Sequence, residues 1–222
     1  MMFQRKSVIV AACALTVAVF GIGAAPAGAE AILTFGFTEL NGDWDGVSSF
    51  FADDDGSTAG DVTRLLPVAQ TASYSPGYAP GTAGYEMTMT LSNITPVSAE
   101  ASGSLTVTDA DGDTITADLT GFWIRNGIFG FFNGLLSDVM LKTGDGIFEG
   151  PSGGAFSMDF SGYGNEPFDG AVMTLTTGQW FSLGQGYQNQ STLVQASVVP
   201  EPASVALAVA GLLIRRTYRR RA

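Results

Sequence analysis

Three aspartates at alternate positions, in the run Asp109-Ala110-Asp111-Gly112-Asp113, form the densest set of potential ligands in the chain. Alternating carboxylates around a glycine turn bring hard oxygen donors onto one small ion, the donor type that calcium takes. The run is not an EF-hand, because glycine comes too early and no glutamate closes a twelve-residue loop. The competing reading is an acidic hairpin tip whose charges keep it in water. A second acidic run, Asp53-Asp54-Asp55 through Asp61, carries the same two readings with looser spacing. Tyr74 and Tyr78 lie in a segment of prolines and glycines, where a ring face can stack on a sugar as a ligand contact; the competing reading, and the favoured one, is a packed loop. Trp123 and Trp180 sit within apolar strand patterns and read as core.

Catalytic chemistry is harder to assemble from these residues. The 222-residue chain has no histidine, and its single cysteine, Cys13, lies in an apolar stretch near the N-terminus. Serine–histidine and cysteine–histidine nucleophilic catalysis therefore lack their base. A glycosidase needs only two carboxylates at a suitable separation. Glu86, Glu100, Asp118, Glu149 and Asp159 are available, yet nothing in the sequence pairs any two of them. The chain reads as a non-enzyme that requires no cofactor, with calcium the one its donors suit.

The elements that must position these residues are strands. Tyr85–Leu91 alternates apolar and polar positions, as do Leu105–Thr108 and Ile115–Leu119, which is the period of a half-buried strand. Asp111-Gly112 and Asn126-Gly127 are hairpin signals, because glycine accepts the positive φ of a tight turn. Further strands are expected at Ile32–Thr38, Phe122–Arg125, Ile128–Phe132, Phe156–Phe160, Val172–Thr176, Trp180–Leu183 and Thr192–Val198, and one short turn of helix at Gly134–Leu141. Ile128–Phe132 reads as a strand buried on both faces or, if exposed, as a partner-binding edge. The expected fold is all-β, a single antiparallel β-sandwich of jelly-roll type over residues 30–198. Residues 30–199 carry three basic residues against twenty acidic ones, a net charge of −17. That charge disfavours nucleic acid and anionic lipid.

Both ends of the chain carry signals of a different kind. Arg5-Lys6, an apolar stretch from Val8 to Phe20 and the small residues Ala27-Gly28-Ala29 read as a secretory signal peptide over residues 1–29. Cleavage is expected after Ala29, with Ala27 the second choice. It would remove Cys13 and leave no disulfide or thiolate ligand. Residues 199–222 hold Pro200-Glu201-Pro202, the apolar run Ala203–Ile214 and the cluster Arg215, Arg216, Arg219, Arg220 and Arg221. The two prolines block helix through the motif. The twelve apolar residues after it make about 18 Å of helix, short of the ~20 residues of a full membrane span. The arginines favour a cytoplasmic C-terminus by the positive-inside bias.

Motif, apolar run and arginine cluster, in that order, resemble the PEP-CTERM sorting signal of Gram-negative bacteria. The resemblance covers residues 199–221, and its apolar segment is short and rich in alanine and valine. It implies recognition at Pro200, Glu201 and Pro202 by an exosortase, a membrane cysteine protease-transpeptidase, after signal peptidase has acted at the other end. It further implies transient anchoring in the inner membrane, retention through the arginines, and delivery to the cell surface or an extracellular matrix. The expected function is that of a structural protein of surface, exopolysaccharide or biofilm. The alternatives are a calcium-assisted carbohydrate-binding module using Asp109, Asp111 and Asp113 with Tyr74 and Tyr78, and a carboxylate glycosidase.

Overall fold

Period-two alternation runs through nearly the whole central region, and in the computed structural model it yields twelve strands among the described residues, which are 30–199 apart from 79–82, 165 and 169–170. The strands are β1 (Leu33–Trp44), β2 (Ser49–Asp53), β3 (Ala59–Arg64), β4 (Gln70–Tyr74), β5 (Gly84–Ser92), β6 (Ser98–Thr108), β7 (Thr114–Asn126), β8 (Phe129–Lys142), β9 (Ile147–Glu149), β10 (Ala155–Ser157), β11 (Ala171–Thr177) and β12 (Tyr187–Val198). Eight of them close into an antiparallel barrel in the order β1-β2-β5-β6-β7-β8-β11-β12. The seam is the return of β12 to β1, with Leu33 opposite Val198 and Trp44 opposite Tyr187.

The closed barrel replaces the expected sandwich. Both architectures bury alternate residues of every strand, so alternation and turn signals are the same for each. What separates them is the β1–β12 pairing, which joins residues at opposite ends of the domain and leaves no local trace. The order is up-and-down with two insertions. The β3–β4 hairpin lies between β2 and β5, and the β9–β10 hairpin between β8 and β11. Strand β1 makes room for the first insertion by changing partner along one edge. Leu33–Thr38 pairs with β3 and Asn41–Trp44 with β2, and the change falls at Glu39, whose φ is 56°.

One end of the barrel, here the hairpin end, carries the β1–β2, β5–β6, β7–β8 and β11–β12 connections. Both inserted hairpins lie at the other, capped end and bond to each other there: Ser73 N–H donates to the Gly153 carbonyl at 2.9 Å, and Ser152 N–H to the Ser73 carbonyl at 3.0 Å. Aromatic side chains fill the interior. Towards the hairpin end Phe181, from the β11–β12 loop, packs on Trp44, Phe50 and Trp123 with centroids 5.1, 5.6 and 4.8 Å away. Towards the capped end Phe37 meets Tyr74 at 5.1 Å and Tyr85 at 5.3 Å. Glycines create the space for these rings: a Cβ at Gly60 would overlap Phe37, and one at Gly121 or Gly134 would overlap Phe132.

Several local expectations change with the fold. Gly134–Leu141 is continuous strand within β8, paired with β7 and β11. Trp180–Leu183 is loop, and Phe156–Phe160 is strand only at its start. Trp123 is buried within β7, and Trp180 is buried as well, but from the β11–β12 loop rather than from a strand. The signal peptide with Ala27 and Ala29, the Pro200-Glu201-Pro202 motif, the expected C-terminal helix and the arginine cluster all lie outside the described residues.

Candidate functional site

The β6–β7 connection carries the three aspartates, and the fold brings them together: one ligand oxygen from each lies within 4.8 Å of the others. Their surroundings differ sharply. Asp109 is fully buried, and its Oδ1 accepts the backbone N–H groups of Asp111, Gly112 and Asp113 at 3.1, 2.9 and 2.8 Å. Its Oδ2 accepts the Glu149 N–H at 2.8 Å, and the Ala110 N–H donates to the Glu149 carbonyl at 2.9 Å. The side chain thus folds its own turn, with Gly112 at φ 102°, and ties that turn to β9. Asp113 does the same for the β8–β9 connection, accepting the Gly144 N–H at 2.6 Å on Oδ1 and the Thr143 hydroxyl on Oδ2.

Asp111 is exposed. Its hydrogen bond with the Asp109 carboxylate, followed by slight desolvation and the charges of Asp109 and Asp113, holds its carboxyl above the usual range. Every carboxylate oxygen of Asp109 and Asp113 already accepts a protein donor. An ion here would share those oxygens with the loop's own N–H and O–H groups, and would draw on Asp111 and water for the rest of the six to eight ligands that calcium takes.

The second acidic run is also organised around backbone donors. Asp55 Oδ1 accepts the Ser57 hydroxyl at 2.6 Å and the Ser57 N–H at 2.7 Å, and these two bonds hold its carboxyl below the usual range. Thr58 Oγ1 accepts the Asp55 N–H at 2.9 Å and donates to the Glu39 carbonyl at 3.1 Å, which fixes the loop to the point where β1 changes partner. Burial, then the charges of Asp54 and Asp43, push the Asp53 carboxyl up. Asp54 accepts the Tyr85 N–H on Oδ1 at 3.1 Å; its buried Oδ2 and the buried Tyr78 hydroxyl have no hydrogen-bond partner among the described residues.

Tyr74 and Tyr78 are packed inside rather than exposed as sugar contacts. Tyr74 is 2% exposed and donates its hydroxyl to the Thr108 carbonyl at 2.9 Å; Tyr78 is 8% exposed and packs edge-on against it at 5.6 Å. Burial is also the main reason both phenols are pushed well up, with neighbouring aspartates adding to it. The β3–β4 hairpin folds over the barrel end and turns both rings inward, which leaves neither face open to a sugar. The loose carboxylates are dispersed: Glu86, Glu100 and Asp118 are exposed on β5, β6 and β7, whereas Glu149 and Asp159 belong to the capped end.

Sequence reasoning passed over Arg64. It is buried, and its guanidinium donates to three backbone carbonyls: Leu66 at 2.5 Å, Ser157 at 2.5 Å and Asp159 at 2.8 Å. The group also lies 4.7 Å over the Phe160 ring. It clamps the first inserted hairpin to the second, which suits a planar fork with five donors. One signal was available: an arginine ending an alternating strand in a domain with only two other cations.

A shallow trough runs along the outer face of β3, β1 and β12, lined by Thr34, Thr38, Asp61, Thr63, Gln195 and Ser197 together with the exposed Leu193. Comparison of the chain with protein-family models, with curated proteins and with solved structures found no match.

Proposed function

We propose that this chain is an exported structural protein of the cell surface or extracellular matrix, associated with exopolysaccharide or biofilm and sorted through its Pro200-Glu201-Pro202 tail by an exosortase. The observation that carries the reading is the pairing of two export signals with a domain whose clustered carboxylates act on its own backbone. Asp109, Asp113 and Asp55 each hold a loop in shape, a use that suits a scaffold. The test is fractionation of the native host expressing a tagged chain. The expected result is a surface or matrix protein that has lost both ends, and a variant with all three motif residues changed to alanine that stays longer and inner-membrane bound. A cytoplasmic protein that keeps its signal peptide would overturn the reading.

A second reading, a calcium-assisted carbohydrate-binding module, is favoured by the convergence of Asp109, Asp111 and Asp113. The trough on β3, β1 and β12, where hydroxyl and amide groups flank the exposed Leu193, gives it a surface in place of Tyr74 and Tyr78. Retention of residues 30–199 on the host's polysaccharide in calcium, lost in chelator, is the result it requires.

A further inference from the structure

The hairpin end of β7 and β8 breaks the rule that β5 and β6 obey. On β5 and β6 the exposed outer positions are polar, namely Glu86, Thr88, Thr90 and Ser92, then Glu100, Ser102 and Ser104. On β7 and β8 the outward row carries Phe122, Ile124, Phe129 and Leu135, with Ile128 at the tip of the connecting turn. Phe122, Ile124, Ile128 and Leu135 are 58, 53, 65 and 59% exposed. Ile128 is the most telling of them. In the two-residue loop between Asn126 and Phe129, Gly127 supplies the positive φ, 66°, and the other position normally favours a small or polar residue. A large aliphatic there packs no core and costs solubility, unless something covers it.

The same face is both socket and knob. Between Phe122 and Leu135 the wall dips into a depression of about 430 Å³, floored by Gly121 and Gly134, with Thr120 and Asn133 beside them and Glu100 on its rim. Ile128 and Phe129 project at the tip, six residues or so along the strands, which is roughly 20 Å at ~3.4 Å per residue. A two-fold axis through the wall near the Ile124–Phe131 register would place each copy's tip over the other's depression. That self-complementarity is what an isologous pair needs. We infer that the outer face of β7 and β8 is a homodimer interface in which Ile128 and Phe129 of each copy seat between Phe122 and Leu135 of the other.

Area favours a second copy as the occupant, and charge limits where that copy can sit. The exposed apolar side chains amount to roughly 600 Å², as large as the largest patches of ordinary monomers. With a polar rim the face reaches the ~800 Å² per partner of a standard interface. The domain's −17 charge opposes a second copy least at a face poor in carboxylates, and at the edges of this patch stand Glu100, opposite Phe122 on β6, and Asp118, two residues beyond Thr120 on the outward row of β7. Because two strongly acidic bodies approach, association strengthens with salt, opposite to a complex held by charge complementarity.

The barrel holds its whole core between Ile32 and Val198, so residues 30–199 serve for the test. Sedimentation at about 0.1 mM should give a dimer whose Kd falls as NaCl rises from about 0.05 to about 0.5 M. Phe122→Glu and Ile128→Glu should each raise Kd at least about tenfold with unchanged circular dichroism, and Ser104→Glu, on a polar wall, should leave it unaltered. Oxidation should link the Ile128→Cys/Leu135→Cys double variant between chains, in a domain otherwise without cysteine. A monomer at high salt, or a dimer that survives both glutamate changes, overturns the proposal. So does cross-linking by Ile128→Cys alone, which would mean that the tips meet each other. Flotation of a monomeric wild type with phosphatidylcholine vesicles, abolished by Ile128→Glu, would reassign the face to lipid.

Discussion

Replacing Asp109 by alanine tests whether the aspartate cluster serves the backbone or an ion. The change removes the acceptor of four N–H groups, those of Asp111, Gly112, Asp113 and Glu149. Asp111 and Gly112 lie at the exposed tip, where water can replace the lost partner. The Asp113 and Glu149 N–H groups are more enclosed, and each orphaned donor costs about 1–3 kcal/mol. The expected loss is therefore about 4 kcal/mol, or about 10 °C in Tm for a domain of this size. Asp109→Asn keeps one acceptor but turns an amide NH₂ towards a backbone donor, so it should recover about half of that loss.

Asp111→Ala removes an exposed carboxyl whose charge Asp109 and Asp113 oppose, together with its contact to Asp109, and should leave Tm unchanged or slightly raised. The assay is thermal and urea unfolding of residues 30–199, in millimolar calcium and in chelator. If the carboxylates act on the backbone, the Asp109→Ala loss is the same in both. A loss below about 1 kcal/mol, or one that appears only with calcium, would refute the reasoning. It would mean that the oxygens of Asp109 are held for an ion.

Three further predictions follow from single side chains. Arg64→Ala orphans the carbonyls of Leu66, Ser157 and Asp159 and should cost about 3 kcal/mol in urea unfolding, with Arg64→Lys recovering less than half, because one ammonium cannot span the three. Gly103→Ala would drive a Cβ into the Thr88 carbonyl of the neighbouring strand and should lower stability by about 2–3 kcal/mol, measured the same way. Asp45 accepts the N–H groups of Ser49, Val47 and Ser48, and these bonds hold its carboxyl below 3.8. Its contribution is therefore complete above pH 3.8 and lost as pH falls through the lowered value. The Tm penalty of Asp45→Ala should accordingly be constant from pH 7 to pH 5 and shrink as the pH falls below 3.8 through the lowered value.

The strands were legible because their period is local. Tyr85–Leu91 and Ile115–Leu119 fall within β5 and β7, and Gly112 and Gly127 take the positive φ that their turns demand. Closure was not legible, since Leu33 and Val198 carry nothing that names each other. The short helix expected at Gly134–Leu141 failed for a related reason: the apolar spacing is irregular there because β8 bulges against β7, between the partners of Thr116 and Asp118. The sugar-stacking reading of Tyr74 and Tyr78 failed because a Pro-Gly segment reads as surface, whereas here it belongs to a hairpin folded across a barrel end. The aspartate spacing was legible as a cluster. Its chemistry depends on donors from Thr143, Gly144 and Glu149, thirty to forty residues away.

The barrel divides its two surface chemistries between opposite ends, and this makes the proposals above separable. Strand β7 begins just after Asp113 and ends just before Gly127, so its thirteen residues hold the acidic loop and the apolar tip roughly 40 Å apart. A change at Asp109 should move Tm without moving the dimer Kd, and Ile128→Glu should do the reverse. Calcium sharpens the distinction. If it strengthens dimerisation only as a general counterion, magnesium at equal ionic strength does the same, and Asp111→Ala alters neither. If calcium acts alone, and Asp111→Ala cancels its effect, the acidic loop communicates with the tip along β7, and the two ends form one regulated surface.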